Sequence, residues 1–421
     1  MGRALVPATM VGAMIAFATA ALTVGGVPSH PAWWRAAVSL AVLGGIVPMI
    51  AAVNIRIVPV FSRRSWPGEG WLRAQVGLAI GGAWTVYAGR LTAERWLVVA
   101  GSAIALAAGL VFAANVVRLF RQPAALPASP LPFPEQAAVD RLATRFTRLS
   151  GLYLLVGLTI GLAIELWPPR TGRWDLVWAH AMLVGFFLSM ASGVGYHVFS
   201  RWTGRPWPAV APIRLHLAVV TLGLPLMLLA LATDQRDLFL VAGPLQAAAL
   251  ALFVVTSAPM VIALPDPTRP ALAAAALFLL AGIGLGTSFA IDPALGARLR
   301  MVHAELNLFG WTGLLIAGVG YYLIPRFLGR PLRWPRLAAV QMGTLAGGTL
   351  LGALMLARRA YGEEPLVPIA WAQAPIAFGF LLFALLIVAT ARGKSGARAA
   401  VTSPPRRSVA AHPTAHVPIN R

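Results

Sequence analysis

Long apolar runs alternate along the chain with short polar, mostly basic segments, and the runs approach the ~20 residues that cross a hydrocarbon core as an α-helix. On that criterion helices are predicted at 8–27, 34–58, 72–89, 96–117, 150–167 and 174–199, then at 213–233, 238–264, 270–291, 301–325, 337–357 and 366–391. The fold class that follows is an all-α polytopic membrane protein of about twelve transmembrane helices, in a single transmembrane domain over residues 1–391. Arg3 followed by an apolar run ending in small residues also fits a cleaved signal peptide. Retention of that run, about Ala8 to Val27, as the first helix gives an even helix number and is the reading taken.

One internal repeat organises these helices. The sixth reads HAMLVGFFLSMASGVGYHVFSRWTGRPWP from His180 and the tenth reads HAELNLFGWTGLLIAGVGYYLIPRFLGRP from His303. They align without gaps at an offset of 125 residues. Gly185 then meets Gly310, Gly193 meets Gly318, Gly195 meets Gly320, Tyr196 meets Tyr321, and Arg201, Gly204, Arg205 and Pro206 meet Arg326, Gly329, Arg330 and Pro331. The second helix carries a fainter copy, IVPVFSRRSWPG, that sets Phe61 and Arg63 against Phe199 and Arg201. Copies on helices two, six and ten imply three four-helix units, about 1–120, 135–265 and 266–391, arranged with pseudo-threefold symmetry if each packs alike. Small residues every few positions permit close approach of helices or of a flat cofactor.

Composition sharpens the picture. The chain is 58% hydrophobic and 11% charged, which removes the soluble globular classes. Its net charge of +21 could suggest nucleic acid, but the basic residues cluster between apolar spans, where the positive-inside rule is the simpler cause. No nucleic-acid partner is expected. With the N-terminus inside, the groups Arg63/Arg64, Arg201/Arg205/Arg214 and Arg326/Arg330/Arg333/Arg336 all fall on the cytoplasmic face. The expected location is therefore a bacterial-type inner (cytoplasmic) membrane, with both termini cytoplasmic. Residues 122–134 read as a Pro/Ala-rich linker, and 392–421 as a basic, disordered cytoplasmic tail near anionic lipid. The absence of cysteine excludes disulfides, iron–sulfur clusters, thiolate ligands and covalent c-type haem attachment.

Ionisable residues inside membrane spans are costly and mark function, so the few His and Glu there carry the chemistry. His180 and His303 lie near the outer starts of helices six and ten, with Glu305 two residues beyond His303. In the repeat alignment Glu305 takes the place of His180, and His303 that of Trp178. Two imidazoles and a carboxylate suit iron, copper or zinc, and imidazole is the usual axial ligand of b-type haem. The alternative is a set of lone polar residues satisfied by neighbouring helices or interfacial water. Arg173, Arg298 and Arg300 flank the histidines, where guanidinium forks could clamp haem propionates or serve as ordinary loop arginines. At the inner face a second candidate set comprises His197, His216 and Tyr322, with Tyr196 and Tyr321. His180 and His197, 17 residues apart, are separated by about 25 Å along one helix and cannot share a metal. Aromatic and His residues also gather at headgroup level without any further role. His30, His412 and His416 fall in predicted loops or the tail.

These residues resemble the haem-copper oxidase catalytic subunit superfamily, whose twelve-helix, three-arc architecture would match the repeat. VHAELNLFGWTGLLIAGVGYYLIPRF is similar to the H-x-H…L-G-W…Y-x-x-V-P-R segment of the cbb-type cytochrome c oxidase subunit I, in which the first His binds the high-spin haem and the second the low-spin haem. His303 falls on the high-spin position and Glu305 on the low-spin one. WAHAMLVGFFLSMASGVGYHVFSR resembles the segment supplying a copper ligand, with His180 one residue from the expected place. A nearer resemblance is to the NnrS-like branch, haem- and copper-containing membrane proteins linked to nitric oxide in denitrification, with the motif W-H-A-H-E-M-L-F-G-F. His303 and Gly310 reproduce its first His and its Gly, and His180 with Gly185 its second His. VFSRWTG resembles the family's V-P-N-W-T-G, and IRIVPVFSRR its G-R-V-I-P-F-F-T-R-N.

The resemblance implies haem b and copper as cofactors, held by His303, His180 and Glu305 with Trp178, Arg173, Arg298 and Arg300 around them. It implies an oxidoreductase of haem-copper type in nitric oxide or respiratory redox handling, without the ligand set of a complete proton-pumping oxidase. Membrane lipid and a redox partner protein or other membrane subunits would be its partners. Two other classes stay open: a twelve-helix secondary transporter, and a metal-free subunit of a membrane complex.

Overall fold

The computed structural model describes residues 4–125, 131–169 and 171–393. Residues 126–130 of the expected linker, and the tail beyond Gly393 with His412 and His416, lie outside them. The described residues form helices and connecting loops, with no strand. Twelve continuous rods follow one another: α1 Leu5–Gly25, α2 Trp33–Ser62, α3 Glu69–Thr92, α4 Arg95–Arg121, α5 Gln136–Leu166 and α6 Trp174–Thr203. The remainder are α7 Ala211–Thr233, α8 Arg236–Ile262, α9 Thr268–Ile291, α10 Pro293–Leu328, α11 Pro335–Ala360 and α12 Ile369–Arg392.

Eleven are long and apolar enough to cross a membrane. The exception, α3, is 24 residues long but carries Glu69, Arg73 and Arg90 and a buried Gln75. Its amide is satisfied within the bundle, where Asn115 Nδ2 of α4 donates to Gln75 Oε1 at 3.0 Å. All twelve are helices because a chain in hydrocarbon must satisfy its backbone internally. For the same reason prolines within α2, α7, α8, α10 and α12 are tolerated where neighbouring helices cover the freed carbonyls.

Three rods occupy the centre. By burial of their apolar spans α2 and α10 lead at 83%, with α6 and α12 at 61% and α1 at 56%, against 28% or 33% in α4, α5, α7, α8 and α9. Centrally, Phe187 of α6 packs on Trp311 of α10, Trp202 of α6 stacks on Tyr322 of α10, and Ile57 of α2 joins Tyr322 and Leu323. Around them α1 packs on α12, α4 on α5 and α8 on α9. Each gap between successive central helices thus becomes a compartment walled by outer ones. The start of α1 and the end of α12 share one face with the α2–α3, α4–α5, α6–α7, α8–α9 and α10–α11 connections, where Arg333 meets Thr390 and Ala125 meets Arg63. The opposite face is closed by contacts such as Arg359 to the Pro28 carbonyl and Arg35 to Asp175.

Each central helix is interrupted by a π-helical stretch: Leu40–Ile46 in α2, Ala181–Leu188 in α6 and Leu306–Trp311 in α10. Each stretch holds a glycine against an aromatic ring of an earlier outer helix. A Cβ on Gly45 would meet the Phe17 ring of α1, one on Gly185 the Tyr153 ring of α5, and one on Gly310 the Phe278 ring of α9. All three central rods also end in a left-handed residue, Arg63 (φ 57°), Gly204 (φ 65°) and Gly329 (φ 63°). For the latter two glycine meets the backbone requirement directly.

Candidate functional site

His180 closes the α-helical start of α6, one residue before its π stretch, and Glu305 closes that of α10 immediately before the next. π-Turns re-aim side chains and recur at functional positions. His303 Nδ1 donates to the Gly282 carbonyl of α9 at 2.9 Å, and His180 Nδ1 donates to the Leu176 carbonyl at 2.9 Å. A proton on Nδ1 leaves the lone pair of the neutral ring on Nε2, the tautomer that a metal-binding imidazole takes. Neither Nε2 has a hydrogen-bond partner among the described residues. The helices that carry them meet where Phe187 of α6 packs on Trp311 of α10. Phe289 flanks the His303 ring at 5.6 Å between centroids, and Gly286 provides its slot, since a Cβ there would sit 2.8 Å from His303 Cε1. Two imidazoles on adjacent central helices are thus each oriented by a backbone carbonyl.

Glu305 does not join them. It turns to the α10–α2 side, fully buried, where its Oε1 accepts from Gln373 Nε2 of α12 at 2.7 Å. The backbone of α11 at Gly352 presses on the same oxygen, and Oε2 has no partner. Two residues apart on a helix project about 200° apart, which places His303 and Glu305 on opposite sides of α10. Beside Glu305 the compartment is filled by rings: Phe17 stacks on Phe380 at 4.8 Å, Phe309 lies against Phe380, and all three are fully buried. That packing leaves no slot for a flat cofactor on the Glu305 side. Among the described residues no group of three or more His, Asp or Glu converges as a metal site, so the expected three-ligand set is not assembled.

The outer arginines and Trp178 also depart from expectation. Arg173 is paired with Asp234 at 2.7 Å and lies over Phe239. Arg298 and Arg300 are exposed on the first turns of α10. Trp178 faces α5 at Gly161 and lines a different compartment from His180, again because two helical residues separate them.

The expected inner set resolves into three arrangements. His216 of α7 is buried, its Nδ1 2.9 Å from the Tyr196 hydroxyl, within a cage of Phe146 and Phe253. His197 bonds Asp140 of α5 through Nδ1 at 2.9 Å and stacks on Phe61 of α2. Arg201 clasps both oxygens of Asp140, at 3.0 and 2.7 Å. Tyr322 is sandwiched between Trp202 and the Arg326 guanidinium. Each is a tie between helices, and Tyr321 donating to Gln341 of α11 is another. Sequence reasoning missed Asp140, Gln341 and Gln373, and the signal was available only as isolated polar residues in apolar runs.

No family model matches the chain, and no curated protein matches it in sequence. Its fold does have solved counterparts. It is similar to a structure described as "Cryo-EM structure of a heme-copper terminal oxidase dimer provides insights into its catalytic mechanism", at a TM-score of 0.64 and 13% identity over 94% of this chain and 85% of that one. At that identity the likeness is one of fold.

Proposed function

We propose that this is a haem-binding integral membrane protein of the oxidase subunit I-like type, nearest in character to the NnrS-like branch, that handles nitric oxide or takes part in respiratory redox chemistry. The observation that carries the reading is the pair His180 and His303: two part-buried imidazoles on adjacent central helices, each with Nδ1 committed to a carbonyl and Nε2 without a hydrogen bond among the described residues. His303 would be the axial ligand of a b-type haem, with His180 on the facing helix. Such a haem supplies diatomic-gas binding and one-electron chemistry when bound. The protein's part is to fix the imidazoles through Leu176 and Gly282, to shape the slot with Gly286 and Phe289, and to exclude lipid with α9. Among the described residues no third His, Asp or Glu is grouped with the pair as a copper site would need, so the proposal rests on haem.

A pseudo-threefold arrangement of three four-helix units belongs to the same proposal. It is supported by the three π stretches, their three glycine–aromatic contacts and the matching bonds Tyr196–His216 and Tyr321–Gln341, which lie one repeat apart. The basic loops on the face shared with the start of α1 and the end of α12 support a cytoplasmic location for both ends.

Haem analysis of protein purified in detergent after expression with a haem supply tests the reading. One non-covalent haem per chain supports it. Colourless protein that binds or moves a solute would support a transporter instead, and colourless protein that purifies only with other membrane subunits would support the metal-free alternative.

A further inference from the structure

The compartment between α2 and α6, which the proposed haem reading does not use, contains a cavity of about 120 Å³. It lies at the end of the bundle where Arg35 meets Asp175 and is walled by α2, α3, α4, α5 and α6. Trp34 and Trp178 stand in its sides with Val38, Val86 and Leu158. Its floor is polar. Arg90 of α3 donates to Glu165 of α5 at 2.8 Å, both partly buried. At its rim Arg35 and Asp175 form an exposed, loose pair at 3.6 Å. Arg95, exposed at the start of α4, donates to the carbonyls of Glu165 and Leu166 and holds a third guanidinium near Glu165.

Much of what remains unpaired is donor. Arg90 Nε is buried without a partner. Ser39 of α2 and Ser102 of α4, 3% and 8% exposed, line the cavity, and neither hydroxyl has a hydrogen-bond partner among the described residues. Helical serines usually bond the carbonyl one turn back, as Ser288 does here. A buried, unsatisfied guanidinium N–H is costly to maintain unless something accepts from it, and the two cavity-lining hydroxyls are free to donate beside it. An ionised carboxylate accepts several such bonds and fits a guanidinium edge. The apolar walls suit a short hydrocarbon stem, and the volume, below the 150 Å³ that takes benzene, limits it to a few heavy atoms.

We propose that this pocket binds a small organic carboxylate, its carboxylate on Arg90, Ser39 and Ser102 and its stem between Trp34 and Trp178. The site is independent of the histidine pair, so it stands or falls apart from haem.

Trifluoroacetate is a suitable probe, followed by ¹⁹F NMR titration of the detergent-solubilised full chain, with trifluoroethanol as the uncharged control. The expected result is saturable trifluoroacetate binding, weakened by on the order of tenfold or more in Ser39→Ala/Ser102→Ala, as for lost bonds to a charged acceptor. Arg90→Gln/Glu165→Gln, which removes the buried charges together, is expected to abolish it. Should that variant fail to fold, the serine variant, which changes only two hydroxyls, still decides. The proposal is overturned by non-saturable trifluoroacetate, by unchanged affinity in the serine variant, or by trifluoroethanol binding as tightly.

Discussion

His303 and Glu305, two residues apart on one central helix, face different compartments: the imidazole turns to the Gly282 carbonyl of α9 and the carboxyl to Gln373 of α12. The divergence separates a candidate ligand from a structural polar tie, and the two respond differently to substitution.

Glu305→Gln preserves the shape and the contact with Gln373 and is expected to leave haem content unchanged. Haem loss in this variant, measured as the haem-to-protein ratio, would return Glu305 to the ligand set.

Gly352→Ala places a methyl group against Glu305 Oε1 and Gln373 Nε2. Overpacking of that kind typically costs about 1–3 kcal/mol. Thermal unfolding in detergent is expected to show the loss in wild-type background and a smaller one with Glu305→Ala, because the obstructing carboxyl is then gone.

His216 sits where Gln341 sits one repeat later, each bonded to the matching tyrosine, Tyr196 or Tyr321. His216→Gln is therefore expected to retain stability and haem. His216→Leu strands the buried Tyr196 hydroxyl at a cost of about 1–3 kcal/mol. The same melting measurement distinguishes them; equal losses in both would point to a role beyond the helix tie.

Gly286→Ala would push a methyl group to 2.8 Å from His303 Cε1. The ring must shift and weaken its bond to Gly282, so haem content is expected to fall while the fold persists. A fully haem-loaded Gly286→Ala protein would show that the slot does not position His303.

The spans were legible because apolar runs near twenty residues have one stable solution in lipid. The repeat was legible because Gly185/Gly310 and Gly193/Gly318 sit at the same offset, and the structure gives the reason. Gly185 and Gly310 receive Tyr153 and Phe278, while Gly193 and Gly318 receive Thr147 and Leu272, all of them one repeat apart. What sequence could not supply was direction. Trp178 and Glu305 each lie two residues from a histidine, close in sequence but across the helix from it. Arg173 had Asp234 as a partner 61 positions away, and Glu305 had Gln373 at 68. Such pairings depend on which outer helices meet, a long-range property that local pattern does not encode. The π stretches were equally invisible, since nothing in the local apolar pattern of Leu40–Ile46, Ala181–Leu188 or Leu306–Trp311 departs from that of an ordinary helix.

The most direct test of the histidine pair is the optical spectrum of the purified protein compared with His303→Ala and His180→Ala, each first shown to fold by its melting profile. The account predicts a Soret band in the wild type that is lost in His303→Ala and altered in position or intensity in His180→Ala. A wild-type protein with no Soret band under haem-replete expression, or one whose band is identical in both variants, would contradict it.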